Sequence, residues 1–199
     1  KCFAQQRRHF YHFTSRPAFD IVGLGPKIVD RLIEEKLVSD AADLFKLKEG
    51  DILPLERFAE KSAKNLISAI QAKNKITLSR FIYALGIRNV GEETAIDVAK
   101  HFGSVEKLKK AENNELESMS IIGPVVSESI YRWFHQKRNL DFLKKLEKSG
   151  VTIANQKARF KKQKLAGLTF VLTGVLETMT RGEAKAKIQE LGGKISDMV

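Results

Sequence analysis

Cysteine is nearly absent from this 199-residue chain, which carries only Cys2. A lone thiol excludes an internal disulfide, fits a reducing cytoplasmic setting, and cannot by itself build a four-ligand zinc site. Long apolar runs are missing too. The longest is a short stretch near 169–172, too brief to span a bilayer. The opening Lys1-Cys2-Phe3 lacks the apolar core of a secretory signal. No glycine-rich loop of the nucleotide-binding type occurs, nor any cluster of acids and histidines at metal-ligand spacing. Glu34-Glu35 and Glu92-Glu93 fall on expected helices and read as solvated faces. The chain has no initiator methionine and stops inside an apparent strand at 197–199, so it reads as a piece of a longer protein.

What is present is positive charge, unevenly placed. The net charge is +11 with a pI near 9.7, which favours a polyanionic partner. Residues 1–18 carry +4 with no acid, through Lys1, Arg7, Arg8 and Arg16. Residues 151–166 carry +5 with no acid, through Lys157, Arg159, Lys161, Lys162 and Lys164. The region between them is close to balanced. A partner held by that middle region must be recognised by more than bulk charge.

The middle region is a repeat. One short pattern occurs as Ile21-Val22-Gly23-Leu24-Gly25, Leu55-Glu56-Arg57-Phe58-Ala59, Ile87-Arg88-Asn89-Val90-Gly91 and Met119-Ser120-Ile121-Ile122-Gly123. The last residues of the four copies, here called anchors, are spaced by 34, 32 and 32 positions. Four before each anchor the residue is apolar, and so is the one directly before it. Four after comes Val29, Ala63, Ala95 or Ser127, and seven after comes Leu32, Leu66, Val98 or Ile130. Those two offsets share one face of a helix that begins at the anchor. The spacing predicts helices over 26–36, 59–72, 91–102 and 124–135, with shorter ones before the later hairpins at 40–46, 77–84 and 113–118. Glycine at the anchor is expected to supply a positive φ or a close backbone approach, and Pro26 and Pro124 suit a first helical turn.

Helix, apolar hairpin and helix, repeated four times, is a layout with a physical use. The first turn of a helix leaves backbone N–H groups unpaired and carries the positive end of the dipole. A glycine there lets a phosphate oxygen reach those donors. Such contacts read the nucleic-acid backbone and not the bases. The bland alternative is that these are ordinary turns of a helical bundle, where glycine is common. The copies also differ. Copy one has Gly23, Leu24, Gly25 and Lys27. Copy two has Arg57 and Lys61 but Ala59 at the anchor. Copy three has Arg88, Asn89 and Gly91, followed by the repelling Glu92 and Glu93. Copy four has Gly123 but Ile121 at the first glycine position, with no cation before Arg132. Copies one and three are therefore the expected phosphate grips, and copies two and four the expected structural partners.

The flanking residues carry a family resemblance. Cys2-Phe3-Ala4-Gln5 and the run from His12 to Ile21 leading into Gly23-Leu24-Gly25 resemble the region after the zinc finger of bacterial NAD-dependent DNA ligases. The runs from Phe58 to Leu66 and from Ala84 to Glu92 are similar to that family's second and third hairpins. At the carboxyl end, Leu168-Thr169-Phe170-Val171-Leu172-Thr173-Gly174, Arg181-Gly182-Glu183-Ala184 and Gly192-Gly193-Lys194-Ile195 resemble the opening of a BRCT domain, a strand, helix and second strand. The resemblance implies a mainly α fold: a tandem helix-hairpin-helix domain with four motifs, and a partial α/β BRCT segment after it.

The expected organisation is a basic arm over 1–18, a DNA-binding domain over 19–150, a basic linker over 151–166 and a truncated BRCT domain over 167–199. By resemblance, Cys2 is one ligand of a zinc site in the parent, and His9 and His12 do not fit the ligand pattern. The parent seals nicks in replication and repair, with NAD as adenylate donor and Mg²⁺ in the chemistry. The Lys-x-Asp-Gly motif that takes the adenylate in that family is absent here, so this stretch is expected to need no cofactor and to be inactive alone. Its partner would be double-stranded DNA, nicked in the working state, held without sequence preference by a monomer in the nucleoid. The residues expected to touch it are Gly23, Leu24, Gly25, Lys27, Arg57, Lys61, Arg88, Asn89, Gly91 and Gly123. The rival reading is a non-enzymatic helix-hairpin-helix module of another repair protein; a protein-interaction scaffold is a third.

Overall fold

Apolar residues at helical spacing, interrupted by turn residues every thirty or so positions, build a mainly helical chain. A computed structural model describes residues 3–119, 122–154, 168–172, 184, 188 and 194–195. Cys2, Ile121, most of the basic stretch over 151–166 and the Thr173-Gly174 turn lie outside the described residues. The chain divides into two compact units, Lys1–Ala158 and Arg159–Val199.

Among the described residues of the first unit, ten α-helices run in order: α1 Phe3–Thr14, α2 Pro26–Glu34, α3 Glu49–Ile52, α4 Glu60–Gln71, α5 Leu78–Ala84, α6 Glu92–Phe102, α7 Val105–Lys109, α8 Asn113–Glu117, α9 Pro124–His135 and α10 Lys137–Lys148. A 3-10 turn, Ala41–Lys46, follows α2 and is opened by Asp40, whose carboxylate accepts from the Ala42 N–H at 3.0 Å. Two short strands, β1 Lys75–Thr77 and β2 Thr152–Ala154, pair in parallel with Ile76 opposite Ile153. The four anchored helices thus lie where the spacing places them, and the three shorter preceding ones are present as the 3-10 turn, α5 and α8.

Residues 3–18 pack into the domain and do not form the expected arm. Residues 3–14 form a helix whose Phe10 and Phe13 are buried in the core. Phe13 stacks on Phe19 with centroids 4.2 Å apart and meets Phe45 and Phe142 edge-on at 6.4 and 6.2 Å. Phe19 in turn lies 5.4 Å from Phe45 and 6.5 Å from Phe81. This aromatic cluster joins α1, the 3-10 turn, α5 and α10. Each fully buried phenylalanine contributes about 1.5–3 kcal/mol by area alone. Charge counting misread the segment because Arg8 is exposed and Arg7 half-buried on the helix, while Phe10 and Phe13, three apart, turn inward. Arg7 pairs with Asp30 at 3.1 Å and Glu34 at 2.7 Å, which ties α1 to α2.

The start of the expected linker is likewise part of the fold. Val151 is buried, and the Thr152 N–H donates to the Asn74 carbonyl at 2.7 Å as β2 docks on β1. In the second unit, β3 Thr169–Phe170 and β4 Lys194–Ile195 pair in parallel, and residues 184 and 188 between them are helical. A parallel pair needs a crossover between its strands, in keeping with the strand, helix and strand opening expected there.

Candidate nucleic-acid interface

Each repeat closes with the same hydrogen bond. The carbonyl four before the anchor accepts from the N–H directly before it: Ile21 from Leu24 at 3.2 Å, Leu55 from Phe58 at 3.1 Å, Ile87 from Val90 at 3.1 Å and Met119 from Ile122 at 2.9 Å. The anchor then caps its helix, its carbonyl accepting the first intrahelical bond. Those bonds run from Val29, Ala63, Ala95 and Ser127 at 2.9–3.1 Å. The small residues at that fourth position, and Leu32, Leu66, Val98 and Ile130 three further on, are all buried. The matched columns in the sequence are thus the packing face of the hairpins.

Of the two roles expected of an anchor glycine, positive φ is absent. Gly25, Gly91 and Gly123 have φ of −78°, −87° and −81°, ordinary extended values. The left-handed residue is two earlier: Gly23 at +84°, Arg57 at +69° and Asn89 at +63°. A four-residue turn with a left-handed third position explains the pattern, since that position favours glycine and tolerates asparagine. The anchor glycines therefore have no conformational reason to be glycine. They have no steric reason within the chain either, because a Cβ built on Gly25, Gly91 or Gly123 would meet nothing within 4 Å. What their missing side chains leave is open access to the backbone.

That backbone offers unpaired donors. Among the described residues, no acceptor takes the N–H of Gly25, Gly91 or Gly123. The Lys27 N–H is also free, and Pro26 and Pro124 have none to satisfy. Copy two departs from this, because the Ala59 N–H donates to the Ser62 hydroxyl at 2.8 Å, which donates back to the Ala59 carbonyl at 2.8 Å.

The side chains sort in the same way. Gly23, Gly25, Lys27, Arg57, Lys61, Arg88, Asn89, Gly91 and Gly123 are all exposed. Leu24 is not, being 4% exposed; it plugs the core beneath its hairpin, as Val90 and Ile122 do beneath theirs. Leu24 is among the residues expected to touch DNA, and with its side chain buried only its backbone can face a partner. Lys27, Lys61 and Arg88 make no ion pair among the described residues, whereas Arg57 lies 4.0 Å from Glu56. The Asn89 amide reaches the Ser129 hydroxyl on α9 at 3.4 Å, linking hairpin three to the helix of hairpin four. Val22 and Val125, beside hairpins one and four, are 70% and 67% exposed.

Two supporting contacts escaped the sequence reading. Arg80 donates to the Ala18 and Arg16 carbonyls at 2.8 and 2.6 Å, holding the lead into hairpin one against α5. Lys73, just after α4, pairs with Asp20 at 2.8 Å. That Lys73 bond and carboxylate burial act in opposite senses on Asp20, with the bond the larger, so its pKa is lowered. Both contacts span more than fifty residues, and no local pattern marks them. No metal-binding group of three or more His, Cys, Asp or Glu occurs among the described residues, and no helix there is long and apolar enough to cross a membrane. His12 places a ring nitrogen 2.6 Å from the Tyr83 carbonyl, a packing role.

Comparison with known proteins fits this geometry. Residues 80–143, which hold the third and fourth hairpins together, match the helix-hairpin-helix motif family. Residues 160–199 match the BRCA1 C Terminus (BRCT) domain family, a match that opens within the stretch read as linker. The chain is similar over its whole length to bacterial proteins named DNA ligase. It is 48% identical to one from Coxiella burnetii (strain CbuK_Q154) over 198 residues, and 45% identical to one from Nitrosococcus oceani over 199. All of this chain is covered in both cases, against 29% and 30% of those relatives. The chain thus spans about three tenths of their length, and the resemblance to the ligase family holds from end to end.

Proposed function

We propose that this chain is the duplex-gripping part of an NAD-dependent DNA ligase, holding nicked DNA through phosphates along the minor groove without reading its sequence. One observation carries the proposal. Three hairpins present an unpaired anchor N–H with open space where a side chain would stand, at the positive end of a helix dipole. The chain's own packing uses neither the missing Cβ nor the free donor, and a phosphate oxygen uses both. Lys27 beside hairpin one and Arg88 beside hairpin three add charge that a phosphate would neutralise.

The parent's sealing reaction draws on groups that this chain does not hold. One cysteine supplies at most a single zinc ligand, so zinc binding is assigned to the parent with Cys2 as one ligand. NAD and Mg²⁺ likewise belong to the parent, since Lys-x-Asp-Gly does not occur here. The role of this part is to orient the duplex while chemistry proceeds elsewhere. Titrating the chain with two unrelated duplexes at two salt concentrations tests the reading. Equal affinities that fall steeply with salt are expected, because several phosphate contacts release counterions. A tenfold preference for one sequence, or indifference to salt, would overturn it.

A further inference from the structure

The four hairpins share one closing hydrogen bond and one capping bond, so the few places where they differ are informative. At the third residue after the anchor stand Ile28, Ser62, Thr94 and Val126. Only two of these carry a hydroxyl, and only Ser62 turns it back onto the anchor. Its oxygen is 2.8 Å from the Ala59 nitrogen and 2.8 Å from the Ala59 carbonyl, closing a small ring over the start of α4. Thr94 makes no such bond to Gly91 among the described residues, and Ile28 and Val126 cannot.

We infer that Ser62 holds hairpin two out of the phosphate contact, so that the domain grips a duplex through the anchor amides of hairpins one, three and four only. The inference rests on the phosphate-gripping reading above and adds which hairpins carry it and which side chain decides. A donor already satisfied at 2.8 Å must give up that bond to take another, so a phosphate gains little from it. The same hairpin carries the one anchor with a methyl group, Ala59, on the face that the other three leave bare. Its remaining attraction for DNA comes from the exposed side chains of Arg57 and Lys61 and from the Lys61 N–H, for which no acceptor occurs among the described residues, not from its anchor amide. The four-fold repeat is therefore functionally unequal. Hairpins three and four, joined through Asn89 and Ser129, form a double grip, and hairpin one with its Lys27 forms a single one.

Amide resonances of the ¹⁵N-labelled chain, followed while a 12-base-pair duplex is added, test this directly. The amides of Gly25, Gly91 and Gly123 are expected to shift with saturation, and that of Ala59 to stay in place. In S62A, with the helical circular-dichroism signal retained, the Ala59 amide is expected to join the other three. In A59G, which removes the methyl but keeps Ser62, residue 59 is expected to stay silent. Movement of Ala59 alongside the others in the unmodified chain would overturn the inference and leave the phosphate reading standing. A silent Ala59 in S62A, or a responsive residue 59 in A59G, would show that the hydroxyl is not the barrier. If DNA binds and none of the four amides moves, the phosphate-gripping reading itself fails, and this inference falls with it.

Discussion

Lys145 on α10 sets its ammonium 2.8 Å from a carboxylate oxygen of Asp43, a residue 102 positions earlier in the 3-10 turn. The same ammonium reaches Asp40 at 2.8 Å. One side chain thus fastens the last helix of the first unit to its early part, beside the aromatic cluster.

This pair gives the domain an acid limit. Burial pushes the Asp43 carboxyl upward, but the Lys145 bond and the Ser39 hydroxyl and N–H more than offset it, and the pKa falls to about 2. Folded Asp43 therefore binds its proton less tightly than the unfolded chain, whose carboxyl titrates near 3.8. The stabilisation is complete above about pH 4 and fades as pH drops toward 2. Allowing for partial solvent screening, it amounts to about 1–2 kcal/mol. K145M should lower the melting temperature at pH 7 and move the acid-unfolding midpoint upward. Unchanged melting at both pH 7 and pH 3 would show the pair to be ornamental.

Phe13 lies at the centre of the aromatic cluster with no exposed surface. F13A should cost about 3–5 kcal/mol, the range for emptying a buried aromatic site. Deleting residues 1–14 should do at least as much damage, since it removes Phe10, Phe13 and the Arg7 pairs together. Chemical denaturation of both variants measures this. If the deletion leaves the denaturation midpoint in place, the segment is an arm after all, and its helix is only resting on the domain.

The contrast between that helix and the hairpins shows which parts of the fold a sequence exposes. The hairpins were legible because four copies align, so that Val29, Ala63, Ala95 and Ser127 reveal a shared face that none reveals alone. Single-copy features had no such help. α1 was hidden by Arg7 and Arg8, which drew attention to charge while Phe10 and Phe13 marked the buried side. Of the two roles open to an anchor glycine, positive φ or close backbone approach, the first is absent at Gly25, because the positive φ lies two residues earlier at Gly23. Leu24 was expected among the DNA contacts and also belongs to the matched apolar column, and its buried side chain follows the column. The Ser62 bond was readable in principle, since a serine three residues into a helix is a common partner for the residue that caps it. Arg80 and Lys73 were beyond reach, their partners being set by the tertiary fold.

Nick sealing requires an adenylated lysine, and the family's Lys-x-Asp-Gly motif is absent from this chain. Incubation with labelled NAD and Mg²⁺, followed by denaturing electrophoresis, should show no label on the protein. A labelled band that tracks the chain would mean that its place in the parent has been misassigned.

Substitutions at the glycines of hairpin one separate folding from binding. Gly23 has a φ of +84°, so G23A strains the turn and should cost about 1–2 kcal/mol of stability. Gly25 has a φ of −78° and free space around it, so G25A should melt at or slightly above the parent temperature. G25D should fold equally well, since aspartate is a favoured residue at a helix start. It should nonetheless lose DNA binding by about 1–3 kcal/mol, roughly fivefold to a hundredfold, because a carboxylate then stands where a phosphate oxygen would accept from the backbone. G123D should lose less, since hairpin four offers Val125 where hairpin one offers Lys27 and so begins as a weaker grip. K27A should show a milder loss than G25D, together with a shallower salt dependence. Melting curves and duplex titrations on the same preparations separate the two effects. If G25D melts like the parent and still binds DNA as tightly, the open face of hairpin one is only a turn, and the phosphate contact must be sought elsewhere on the chain.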